Sequence, residues 1–238
     1  MNEVKVYVAN LSHLTYVGEI LKTIEESAKV RGTGIAKRKP EYIESKILEG
    51  KAIVALDNGV FVGFCYIESW GDKKFVANSG LIVRPEYRGQ GVAKKIKEAA
   101  FKLSRERFPD AKIFGLTTAL AVMKINTKLG YRPVTFSELT DDDQFWKGCQ
   151  SCVNYDILQR TERKHCLCTG MLYDPAWEKE KEEVISAEEE EKRAHSLQVY
   201  DRWFKFKEHV LSGLHKGKKE KQPVGVKFKK RIKLSLFK

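Results

Sequence analysis

The sequence predicts an α/β fold, an α+β mixed sheet with helices packed against it, and three observations predict it. Three strand-like runs follow one another: KAIVAL (51–56), VFVGFCYIES (60–69) and residues 75–83. The first two flank Asp57-Asn58-Gly59, a hairpin signal because Asn-Gly accepts the positive φ of a tight turn. The third runs into RPEYRGQGVAKK (84–95), where two glycines one residue apart open a helical pattern. Strand and helix then alternate to residue 136, so the order reads β-α-α-β-β-β-α-β-α-β.

Each element has a local cause. VKVYVAN (4–10) alternates as a strand does, and Ser12 is the expected cap of a helix reaching about Lys29. Gly32 and Gly34 end that helix, and Pro40 suits the first turn of a second one that closes at Glu49. Val92, Ala93, Ile96, Ala99, Ala100 and Leu103 recur at helical spacing, with Lys94, Lys95, Lys97, Glu98 and Lys102 assigned to the opposite, solvated face. Pro109 stops this helix, AKIFGLTT (111–118) reads as a buried strand, AVMKINTKLG (121–130) as a helix ended by Gly130, and YRPVTF (131–136) as a strand.

With 238 residues, 42% of them hydrophobic and 11% aromatic, the chain has the material for a core. No run approaches the ~18 to 20 apolar residues of a membrane span. MNEVKVYVAN also lacks the apolar stretch and cleavage site of a signal peptide, so the expected compartment is the cytoplasm. The net charge of +12 is concentrated at the end: residues 216–238 hold ten Lys or Arg against one acid, Glu220. The expected domains are therefore 1–174, a charged helical extension at 175–215, and a basic tail at 216–238 open to an anionic partner. Basic and apolar residues interleave in VKFKKRIKLSLFK, as in RNA-binding and membrane-surface tails.

The glycine turn carries the chemistry. A strand entering Arg88, Gly89, Gln90, Gly91, Val92 and Ala93 and then a helix gathers several backbone N–H groups at the helix's positive end. Such a nest suits phosphate oxygens, and Gly89 and Gly91 let the backbone come close where a Cβ would collide. Two glycines also make a plain tight turn. The spacing is neither G-x-G-x-x-G nor the GK[ST] loop of nucleoside-triphosphate binders, but it matches R-x-x-G-x-[GA] through Arg88, Gly91 and Ala93.

In LIVRPEYRGQGVAKK and in the helix ending KLGY (128–131), the chain resembles the GNAT superfamily of acyl-CoA-dependent N-acyltransferases over residues 3–136. The resemblance implies a GNAT fold with acyl-CoA as co-substrate. It assigns the pantetheine arm to the backbone of Leu81, Ile82 and Val83, and the diphosphate to the amides from Arg88 to Ala93. FGLTTALAVMKINTKLGYRPV (114–134) is further similar to the acetyltransferase domain of bacterial N-acetylglutamate synthases, which implies glutamate or another small acidic amine as acceptor, and a place in arginine biosynthesis. The acyl group is acetyl or a larger one such as succinyl.

Transfer from a thioester to an amine needs a neutral amine, a polarised carbonyl and a proton for the thiolate. Many family members place Tyr four residues before the Gly of KLGY; here Asn126 stands there, a stabiliser of developing charge with no acidic proton, so the general acid is unassigned. Glu68, ending a strand at the presumed cleft, is the candidate base, although a solvated Glu at a strand end reads the same way. Arg31, Lys37 and Arg38 are candidate acceptor-binding residues, because Arg grips a carboxylate through two parallel hydrogen bonds; a solvated basic loop is the alternative.

Cys149, Cys152, Cys166 and Cys168 cluster in sequence. In a cytoplasmic chain metal explains such clustering better than disulfides, and the two pairs form a candidate structural zinc site. Alternatively Cys166 and Cys168 are small core residues of the final strand, and Cys65 is core. The function alternatives are a protein-lysine or polyamine N-acetyltransferase, whose cleft would be acidic, and a nucleic-acid-associated module acting through the tail.

Overall fold

A computed structural model describes residues 3–31 and 38–180 and, beyond them, 185, 186, 188–193, 195, 198, 201, 202 and 205. The chain divides into two units, 1–181 and 182–238. Lys37 and the basic tail lie outside the described residues. Among the described residues no helix is long and apolar enough to cross a membrane.

The first unit is a seven-stranded mixed sheet with helices on both faces. Its strands are β1 (Lys5–Val8), β2 (Ala52–Asp57), β3 (Val60–Trp70), β4 (Phe75–Val83), β5 (Lys112–Thr117), β6 (Arg132–Val134) and β7 (Thr169–Tyr173), in the order β1-β2-β3-β4-β5-β7-β6. Only β4 and β5 pair in parallel, and α3 (Val92–Arg107) supplies the crossover that parallel pairing requires. The hairpin turns at Asn58, whose φ is 48°.

Alternation along the strands sends Val54, Phe64, Tyr66 and Ile82 to one face, where α1 (Val17–Arg31) and α2 (Pro40–Leu48) add Ile20, Ile24, Ile43 and Ile47. Ile53, Ala55, Cys65, Ile67 and Val83 point the other way, onto Val92, Ile96, Ala100 and Leu103 of α3. Each fully buried Ile in these layers contributes about 2 kcal/mol by removal from water.

Three sequence expectations are corrected. The first helical segment is capped by Asn10 rather than Ser12: Asn10 Oδ1 accepts from Ser12 N at 3.0 Å, opening a 3-10 turn (Leu11–Tyr16) before α1. β7 begins at Thr169, so Cys166 and Cys168 do not belong to the final strand as expected; it inserts between β5 and β6, and the short helices α5 (Asp143–Lys147) and α6 (Tyr155–Arg160) precede it. Lys97 is 2% exposed, not solvated. It stands four residues after Ala93, three before Ala100 and seven before Ser104, which places it within the buried stripe.

Candidate active site

β4 and β5 part company after three residue pairs. Phe75, Val76 and Ala77 pair with Lys112, Ile113 and Phe114; beyond them the strands run on without pairing to each other. β5 instead stays with β7 as far as Thr117, opposite Thr169. β4 departs because of a bulge: Phe64 faces Ile82 but Tyr66 faces Ser79, leaving Gly80 and Leu81 opposite the single residue Cys65. Gly80 takes φ +68°, a conformation that favours glycine.

The fork opens into a cavity of about 430 Å³. Asn78 to Leu81 line one side, Gly115 to Thr118 the other, and Val122 and Asn126 of α4 (Leu120–Lys128), one helical turn apart, reach it from above β5. Asn126 is 1% exposed, yet its Oδ1 has no hydrogen-bond partner among the described residues. The indole Nε1 of Trp70, which also lines the cavity, is likewise buried and without a partner among the described residues.

At the open end of the fork lies the glycine turn. Gly89 and Gly91 have φ of +77° and +79°, and no side chain caps α3 at Gly91. The first-turn amides of Val92 and Ala93 therefore face outward at the helix's positive end. Arg88 folds inward, its Nε donating to Val83 O at 3.1 Å, and Gln90 Nε2 donates to Glu86 O at 2.9 Å. Both side chains brace the turn. Leu81 lines the cavity, while Ile82 and Val83 are buried in the two core layers.

Glu68, Arg38, Tyr42 and Tyr66 share the far wall. The Glu68 carboxylate bridges Lys46 of α2 and Lys51, with the Tyr42 hydroxyl 3.5 Å away. Arg38 donates from Nε to Tyr66 OH at 2.9 Å, and its guanidinium stands over the rings of Tyr42 and Tyr66 at 5.4 and 5.8 Å. Burial, with Tyr66 and Glu68 beside it, raises the Tyr42 hydroxyl far above the usual tyrosine range. Arg31 ends α1, and its side chain, like Lys37, is outside the described residues.

Below the fork lies a buried polar network. Asn78, the first β4 residue past the pairing, accepts at Oδ1 from Lys97 Nζ (3.2 Å) and from Tyr131 OH (3.1 Å), and donates from Nδ2 to Ser104 Oγ (2.8 Å). Ser104 donates in turn to Ala100 O at 2.8 Å, which obliges it to accept from Asn78 and fixes the orientation of the amide. Burial lowers the Lys97 amine below the ordinary lysine value, the nearby Cys65 opposing it, and raises the Tyr131 hydroxyl well above the tyrosine value.

The cysteines come together without forming the expected zinc site. All are free thiols, and among the described residues no group of three or more His, Cys, Asp or Glu is placed to hold a metal ion. Cys166 and Cys168 precede β7 in a loop instead of alternating along it, so they do not present two thiolates on one strand face. Burial, reinforced by neighbouring thiols, pushes Cys149 up to about 11 and Cys168 up to about 12, keeping both protonated. Cys149 lines the cavity, and Cys65 is core.

Residues 21–128 match the Acetyltransferase (GNAT) family. No curated protein matches the sequence. Among solved structures, N-acetylglutamate synthase from Neisseria gonorrhoeae, complexed with coenzyme A and N-acetyl-glutamate, is 14% identical with a TM-score of 0.52. That match covers 73% of this chain and 35% of the Neisseria enzyme, so the chain spans about a third of that protein's length. Rv2747 from Mycobacterium tuberculosis, in complex with CoA, is 15% identical with a TM-score of 0.52, covering 71% of this chain and 98% of that one. A Salmonella typhimurium protein solved with its cofactor acetyl-CoA is 12% identical with a TM-score of 0.50, covering 73% and 94%. At these identities the likeness is one of fold, and residues 21–128 carry the sequence match to the Acetyltransferase (GNAT) family.

Proposed function

We propose that the protein transfers an acyl group from acyl-CoA to the amine of a small acceptor that carries a carboxylate, glutamate being the first to try. The observations that support this reading follow one another along β4: its residues Asn78 to Leu81, unpaired with β5, line the cavity that Arg38 also lines, and past the strand's end at Val83 comes the uncapped turn at Gly91. The turn takes the diphosphate, and the arm of the carrier adds to β4 as a strand would. The bulge at Gly80 and Leu81 withdraws amides from the β3 ladder and offers them to the thioester carbonyl.

At the far wall the guanidinium of Arg38, over two tyrosine rings, suits a carboxylate. The Neisseria relative's complex with N-acetyl-glutamate supports the same choice. Glu68, held between Lys46 and Lys51, lies where the acceptor amine approaches and takes its proton, directly or through water. Asn126 steadies the charge developing near sulfur. The amine attacks the thioester carbon, the C–S bond breaks with its electron pair going to sulfur, and CoA departs as the thiolate.

The test is thiol release from acetyl- and succinyl-CoA against a panel of amines. The expected result is turnover with acidic α-amino acids and none with polyamines or lysine peptides. Glu68→Gln should slow it at least about 100-fold, the scale of a lost general base. Absence of thiol release with every amine, or preference for cationic amines, overturns the reading.

A further inference from the structure

The mechanism above leaves the departing sulfur without a proton donor. Asn126 has no acidic proton. The Tyr131 hydroxyl is donated to Asn78, and burial raises it far above the range in which it could serve.

Lys97 lines the cavity beside Asn78, where the fork begins. Its Nζ spends one hydrogen on Asn78 Oδ1 at 3.2 Å, and it stands 5.3 Å from the centre of the Tyr131 ring. The side chain lines the cavity although the residue is 2% exposed. Around it are the Cys65 thiol of β3, the Asn78 amide of β4, the Ser104 hydroxyl of its own helix and the Tyr131 phenol after α4. None of these is a carboxylate. A buried ammonium group with no counter-ion costs stability, and a site that keeps one has a use for it.

The fork also fixes what arrives there. Val83 to Asn78 is five strand residues, roughly 17 Å. A carrier whose diphosphate sits at Gly89 to Ala93 and whose arm follows β4 inward brings its sulfur end toward Asn78. We propose that Lys97 is the general acid of acyl transfer, giving a proton from its ammonium group to the CoA thiolate. This rests on the acyl-CoA reading above. The acceptor nitrogen forms the C–N bond and loses its proton to Glu68 or water; the C–S bond breaks with its electron pair going to sulfur. Lys97 Nζ–H supplies the thiol proton, and the neutral amine regains one from solvent once the products leave. Burial lowers the amine below the ordinary lysine value, which makes its ammonium form a readier proton donor than a solvated lysine.

The experiment compares wild type, Lys97→Met and Lys97→Arg by calorimetric binding of acetyl-CoA and by kcat from pH 6 to 10. In wild type, kcat should fall as pH rises and Lys97 loses its proton. Lys97→Met, of similar length and without charge, should bind acetyl-CoA as wild type does, lose at least about 100-fold in kcat and show no alkaline fall. Lys97→Arg keeps the charge but never gives up its proton, so it should bind and remain slow. A folded, binding Lys97→Met with unchanged kcat and an intact alkaline limb overturns the proposal. If Lys97→Met does not fold, a fast Lys97→Arg or a flat wild-type profile overturns it equally. Wild type that binds no acyl-CoA fails the underlying reading as well, and the calorimetry separates the two failures.

Discussion

A Cβ placed on Gly80 would stand 2.6 Å from Cε1 of Tyr66. The bend that opens the fork and the tyrosine behind it therefore depend on each other. Tyr66 cannot retreat: it is 2% exposed, its hydroxyl receives Arg38 Nε, and its ring meets Tyr42 edge-on at 5.6 Å. Gly80→Ala adds left-handed strain of about 1–2 kcal/mol and overpacking of about 1–3 kcal/mol. Urea denaturation should show a loss of roughly 2–5 kcal/mol, and the acceptor KM should rise as Arg38 is displaced. An unchanged midpoint would mean that the bulge adapts to a side chain.

Gly91 presents the opposite case. An added Cβ meets nothing within 4 Å, so the protein itself leaves that space open. Gly91→Ala carries the cost of φ +79°, about 1 kcal/mol of stability, and puts a methyl group where an anion would sit. The KM for acyl-CoA should rise at least about tenfold with kcat at saturation little changed. Equal affinity in a calorimetric titration would show that the phosphates bind elsewhere.

How much of this was legible beforehand follows from which interactions are local. Asp57-Asn58-Gly59, the apolar stripe of α3 and Gly89/Gly91 each announce themselves within a few residues, because turns and helix faces are set by neighbours in sequence. The depth of Lys97 was not legible: a lysine beside Ile96 reads as solvated until Asn78 and Tyr131, brought in by β4 and the end of α4, supply its partners. Trp70 and Tyr66 were missed for the same reason, since only β3 pairing and α2 packing turn them toward the cavity. The pairing of β7 with β5 joins residues more than fifty positions apart, and no local pattern encodes it. The cysteine spacing gave a misleading signal because β7 starts after Cys168, not at it.

Arg38 should separate acceptor binding from donor binding. Its guanidinium is stacked over Tyr42 and Tyr66 and pinned by the Tyr66 hydroxyl, a geometry that a lysine ammonium does not reproduce. Arg38→Met should raise the acceptor KM at least about tenfold, the loss of one charge-assisted contact of roughly 1.5–3 kcal/mol, while the acyl-CoA KM holds. Arg38→Lys should recover little of it. If both KM values move together, Arg38 acts on the shape of the cavity and not on the acceptor.

Acid should loosen the region around α5, and the sign follows from Asp142. Its Oδ2 accepts from Gly71 N at 3.1 Å and its Oδ1 from Gln144 N at 2.9 Å, and these amide hydrogen bonds hold the carboxyl below its ordinary value. A carboxyl depressed in the folded state contributes stability above its unfolded pKa of about 3.9, and that contribution disappears as pH falls through the folded value. Asp142→Asn keeps the cap on Gln144 but turns an NH₂ toward Gly71 N–H, leaving that donor unsatisfied at a cost of about 1–2 kcal/mol. Urea midpoints should therefore differ between wild type and Asp142→Asn at pH 7 and converge as the pH falls below 4. A difference that persists in acid would place the stabilisation in packing and not in the carboxylate.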